Sequence, residues 1–110
     1  MKESRIQYEI CQYLQDNDYF FHSVPNEAPG DNKVRAMQMV AMGLRSGVAD
    51  LVVWLHPGTV AYLEVKTTEG KQSKSQMNFQ SRCEDHGLEY YVVRSVDDVR
   101  GIVERGLKKL

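Results

Sequence analysis

Two cysteines, Cys11 and Cys83, are all that 110 residues supply. They form no CxxC pair, which weighs against a disulfide-stapled fold and a thiolate metal site; both fall on helix faces expected to be buried, as reduced core thiols. Long hydrophobic runs are missing too. No segment approaches the roughly 20 apolar residues that a membrane-crossing helix needs. The opening Met1-Lys2-Glu3-Ser4-Arg5 runs directly into a polar helical pattern, unlike a secretory leader. A cytoplasmic protein with no membrane partner is therefore expected. An excess of one charge is also lacking: 14 Lys and Arg stand against 15 Asp and Glu, a net charge of −1. That argues against a protein that coats nucleic acid through a broad basic surface. It leaves room for an enzyme that meets nucleic acid locally, because carboxylates gathered around a metal themselves lower the net charge. Linkers, internal repeats and low-complexity runs are absent, so one domain over residues 1–110 with one core is expected.

What is present alternates between helical and strand periodicity. Glu3 to Asp16 reads as a helix whose inner stripe is Ile6, Ile10, Tyr13 and Leu14. Tyr19 to Val24 is aromatic and β-branched and reads as a strand ended by Pro25. Residues 26–32 read as a loop. Asp31 or Asn32 can cap a second helix with an apolar face of Val34, Met37, Val40, Ala41 and Leu44, expected to serve core or dimer packing, with Gly43 at its end. Gly47 to Leu55 reads as a strand covered on both faces. His56-Pro57-Gly58-Thr59 has the order of a type II turn, and Val60 to Lys66 returns. Ser73 to Gln76 fits a capping box opening a third helix that stops at Gly87. Glu89 to Arg94 is a strand, and Ser95 caps a final helix to about Leu107. The order α-β-α-β-β-α-β-α implies an α/β fold, a mixed sheet flanked by helices.

The chemistry concentrates on Glu64-Val65-Lys66. Side chains alternate along a strand, so Glu64 and Lys66 share one face while Leu63 and Val65 point into the other layer. A carboxylate and an ammonium inside a sheet are costly unless paired or used. If the hairpin loop has odd length and is centred near Pro57, Asp50 lies directly across from Glu64, about 5 Å away at Cβ. Two carboxylates that close repel unless a cation lies between them, and oxygen ligands suit Mg²⁺ or Mn²⁺. The main-chain carbonyl of Val65 could add an oxygen. A strict two-residue Pro57-Gly58 turn would instead turn Asp50 to the opposite face, and the site would then need a bulge. Beside a divalent ion, Lys66 is placed to position or deprotonate a water and to stabilise charge building on a phosphate.

Gly47-x-x-Asp50, then Glu64-x-Lys66, then Gln76 on the next helix, resembles the VRR-NUC branch of the PD-(D/E)XK nucleases. Order and context agree over about Glu3 to Arg94. The resemblance implies a restriction-endonuclease-like core, Asp50 and Glu64 as metal ligands, Lys66 as the catalytic lysine, and Gln76 as an active-site residue. It also implies that Glu9 is the family's N-terminal glutamate near the metal. Ala49 stands where the family often has proline, which alters a turn preference and removes no ligand. Small standalone members similar to this chain are homodimers that cut branched DNA, especially four-way junctions, so the resemblance implies a Mg²⁺- or Mn²⁺-dependent DNA endonuclease of a bacterial or phage-infected cell.

Plainer readings stand beside each of these. Glu64 and Lys66 could be a surface pair on an edge strand, Asp50 a strand-start residue, and Glu9 a solvated charge. Gln76 could merely complete the capping box, although it shares a helix face with Phe79, Gln80 and Cys83. Lys33, Arg35, Arg45, Lys71 and Lys74 flank the expected site and are candidates for DNA phosphate contacts. His22, His56 and His86 read as structural. A nuclease for flaps, single strands or nicked duplex, and a catalytically silent nucleic-acid-binding module, are the alternative functions.

Overall fold

A computed structural model describes residues 1–25 and 32–108. Its order is α1 (Glu3–Asp16), β1 (Phe20–Ser23), α2 (Lys33–Ala41), β2 (Leu51–Leu55), β3 (Thr59–Val65), α3 (Lys74–Asp85), β4 (Glu89–Val93) and α4 (Val96–Lys108). The expected loop at 26–32 and the cap role of Asp31 lie outside the described residues, Asn32 excepted. Asn32 does cap α2: its side chain accepts from the Arg35 amide at 2.9 Å. Among the described residues no helix is long and apolar enough to cross a membrane.

The four strands lie in the order β1-β2-β3-β4. The first three are antiparallel neighbours, and β3 and β4 run parallel, joined by the α3 crossover. The antiparallel hairpin and the helical crossover thus give the mixed sheet expected from the element order.

One face of this sheet carries Leu51, Val53, Leu55, Ala61, Leu63, Val65 and Val93. They pack against Ile6, Ile10 and Leu14 of α1 and Val99, Ile102 and Val103 of α4. This layer holds most of the buried apolar surface, at about 1.5–3 kcal/mol per fully buried large side chain. The other face has a smaller cluster of Ala49, Phe79, Cys83 and Tyr90 beneath α3. There α3 covers the sheet only in part: Trp54 and its stacked cross-strand neighbour Phe20 are exposed. The strand expected to be covered on both faces is therefore covered fully on one. Cys83 is buried and Cys11 half-buried, both as free thiols.

One expectation changes. The apolar face of α2 is not core, since the helix buries none of its side chains and Val34 and Met37 are exposed. The hairpin closes through three residues, His56 to Gly58, with Gly58 at φ +80 and the His56–Pro57 peptide cis.

Candidate active site

The register of the hairpin decides the geometry. Leu51 pairs with Leu63 and Leu55 with Thr59, so the loop is centred on Pro57. Continuing the register by one residue sets Asp50 opposite Glu64, and the two-residue turn that would have separated them does not form. The Asp50 carboxylate is pinned by the sheet: Oδ2 accepts the Val65 amide at 2.8 Å, while the Asp50 carbonyl accepts from the Val24 amide at 2.9 Å.

Glu64 points away from the main core, yet it is 1% exposed. It is therefore not half of a surface pair. Lys66, two residues on and 8% exposed, brings its Nζ to 3.7 Å from Glu64 Oε2. Gln76 Nε2 donates to the same oxygen at 3.1 Å. The remaining oxygen, Oε1, is buried without a hydrogen-bond partner. Orphaned buried carboxylate oxygens are rare because their desolvation is uncompensated. Burial, first, and then the charge of Asp50 push the Glu64 carboxyl from 4.5 up to about 8. A proton on Glu64 would also be shared with Asp50; Lys66 opposes the shift and Glu3 adds to it.

Gln76 unites two readings that looked like alternatives. Its Oε1 accepts the Ser73 amide at 2.8 Å while Ser73 Oγ accepts the Gln76 amide, which completes the capping box of α3. The nitrogen of the same carboxamide donates to Glu64 Oε2. The helix start thereby fixes the carboxylate rotamer. Gly47 makes this approach possible. It lies at φ +79, and a Cβ there would overlap the Ser75 carbonyl and come within 2.7 Å of the Gln76 amide. Only glycine lets the chain entering Asp50 touch the first turn of α3.

The two acids of α1 are placed differently. Glu9 pairs with Arg5 at 3.3 Å on a half-exposed part of the helix and is not among the charges that shift Glu64; Glu3 is. The sequence held a signal for this. Glu3 precedes Ile6 by three and Ile10 by seven residues, so it extends the buried stripe by one step, whereas Glu9 lies beside it. Arg94, at the end of β4, was also missed. Its Nη1 donates to the carbonyls of Thr67 and Gly70 and so shapes the loop between Lys66 and α3. Only folding, across more than 20 residues, brings these groups together. Lys33, Arg35, Arg45, Lys71 and Lys74 are all exposed. His86 Nδ1 bonds the Arg82 carbonyl at 2.8 Å, and His22 Nδ1 the Ser23 carbonyl at 3.0 Å.

The VRR-NUC domain profile matches residues 1–97. The chain belongs to the VRR-NUC family. Among solved structures this VRR-NUC chain is similar to a "VRR_NUC domain" at 23% identity and TM-score 0.66, covering 93% of this chain and 94% of that one. It is also similar to a "VRR_NUC domain protein" at 18% identity and TM-score 0.77, covering 98% and 89%. At those identities the likeness is one of fold. No curated protein matches the chain. The family makes this a nuclease-type domain.

The pair suits a hard divalent cation. Its donors are carboxylate oxygens, one of them buried and unpartnered. Among the described residues no three His, Cys, Asp or Glu side chains converge into a metal cage, so Glu3 contributes its field without joining the pair. Mg²⁺ characteristically keeps several waters and takes one or two protein carboxylates, so two suffice.

Proposed function

We propose that this chain is a metal-dependent DNA endonuclease that hydrolyses phosphodiester bonds. The observation that supports it best is Glu64 Oε1: a buried carboxylate oxygen with no partner, beside a second carboxylate. Asp50 and Glu64 would hold Mg²⁺ or Mn²⁺, with the Val65 carbonyl as a further oxygen ligand and Glu3, in place of Glu9, adding negative field from α1. Such an ion supplies Lewis acidity toward the phosphate and lowers the pKa of a bound water.

The chain's own residues do the rest. Gln76 holds Glu64 by Oε2 and leaves Oε1 free. Asp50 cannot swing away, because the Val65 amide holds its Oδ2. Lys66 offers an ammonium group at the edge of the pair. In hydrolysis a water oxygen forms a bond to phosphorus and the bond to one ester oxygen breaks. Lys66 would orient that water and offset the negative charge that grows on the phosphate.

The substrate reading is branched DNA, four-way junctions in particular, cut by a homodimer. Two cuts on a two-fold substrate call for two related sites, and the exposed Val34 and Met37 of α2 offer an apolar surface for a second copy. Digestion of labelled junction, flap, nicked, single-stranded and linear duplex DNA with Mg²⁺ or Mn²⁺ tests this. Preferred cutting of the junction, lost in Asp50→Ala, is expected. Equal cutting of linear duplex would remove the junction reading, and cutting unchanged in Asp50→Ala would remove the site.

A further inference from the structure

A groove lies apart from the carboxylate pair. It is a cavity of about 590 Å³ between the end of α2 and the outer side of α3, lined among others by Arg45, Ser46, Ser75, Asn78, Phe79 and Arg82. A second cavity of about 270 Å³ continues it past the same Arg45, Phe79 and Arg82 toward His86. None of the residues lining either cavity is acidic. Arg45 and Arg82 are exposed, and neither guanidinium has an ion-pair partner among the described residues. Arg5 and Arg100, elsewhere on the surface, are paired with carboxylates. In a chain with a net charge of −1, two unpaired guanidinium groups facing one trough among hydroxyl and amide groups make a local positive channel.

Its position gives it a direction. Ser75 abuts Gly47 and immediately precedes Gln76, whose side chain holds Glu64. The trough therefore begins at the first turn of α3, beside the carboxylate pair, and runs outward along that helix.

We infer that this groove seats the phosphodiester backbone of the DNA strand flanking the scissile phosphate, with Arg45 and Arg82 as its phosphate-binding residues. The inference rests on the nuclease reading and deepens it. Arg45 would meet the strand nearer the chain entering the site, and Arg82, two turns along α3 from Ser75, the phosphates farther out. Guanidinium groups suit this role because their planar donors fork onto phosphate oxygens. Ser46, Ser75 and Asn78 add neutral donors that carry no sequence information. Binding here is thus sequence-independent and sensitive to salt.

The test is equilibrium binding of a fluorescein-labelled four-way junction, and separately of the labelled single strand, in EDTA from 0.05 to 0.5 M salt, so that no cutting occurs. The Arg45→Ala/Arg82→Ala double variant should lower the slope of log affinity against log salt by about 2. That corresponds to a loss on the order of 30-fold at 0.15 M salt relative to 1 M. Arg45→Lys/Arg82→Lys should keep most of the slope, and Arg105→Ala, on α4, should match the parent. Both arginines are exposed, so the melting temperature should not move. An unchanged slope in the double alanine variant, with the parent binding normally, overturns the groove assignment and leaves the nuclease reading intact. If the parent binds neither probe, both fall.

Discussion

Leu63 and Glu64 are neighbours on one strand, equally inaccessible to water, and they do opposite things. Leu63 is fully buried among aliphatic side chains of α1, α4 and three strands. Glu64, turned to the other face, is as deeply buried but sits against a second carboxylate, with one oxygen unpartnered. The first face is assembled for stability and the second tolerates a local penalty at one end. The difference teaches that burial alone does not mark core: a site is recognised where burial and charge coincide and protein partners fall short of satisfying them.

The largest expected effect separates the faces by activity. Asp50→Ala and Lys66→Ala should each lower cutting by about a thousandfold or more with the circular-dichroism spectrum unchanged. Parent-like cutting by either would break the comparison.

Stability should then diverge along the same strand. Leu63→Ala should cost about 2–5 kcal/mol in urea unfolding. Glu64→Gln should stabilise the metal-free protein at neutral and higher pH, by an amount on the order of a few kcal/mol. The sign follows from the proton balance. Because the folded carboxyl is raised to about 8 from 4.5, the folded protein holds a proton there that the unfolded chain has released. The metal-free parent should therefore be most stable below about pH 4.5 as far as this group is concerned. It should lose that contribution as the pH rises toward 8, and Glu64→Gln should not. Added Mg²⁺ or Mn²⁺ should offset the loss in the parent. A pH-independent difference between the two proteins would contradict this account.

These expectations bear on what the chain made legible. The hairpin, the capping box and the α1 stripe were readable because each rests on local periodicity or a four-residue signature, and the facing of Asp50 and Glu64 followed from register once the loop length was fixed. The apolar face of α2 was identified, but whether anything covers it depends on tertiary placement. Glu3 and Glu9 are both helix acids near the stripe, and only Glu3 continues it. Arg94 and the Gly47–Ser75 approach join distant segments and left no local trace.

Smaller effects should refine the view that α3 serves the site through its first turn. Gly47→Ala must displace that turn from the strand, so cutting should fall by roughly 10- to 100-fold with a lowered melting temperature. Gln76→Ala should give a similar or smaller fall in cutting, about tenfold, together with a modest loss of helix-cap stability of about 1 kcal/mol. If Gln76→Ala lowered stability while leaving steady-state cutting untouched, its role would be the cap alone.

The central claim is that Asp50 and Glu64 share one divalent cation, and a Mn²⁺-soaked crystal examined by anomalous scattering tests it most directly. An anomalous peak between the two carboxylates, within bonding distance of Glu64 Oε1, is the predicted result. Well-ordered carboxylates with no peak between them, or a peak held by other residues, would contradict it.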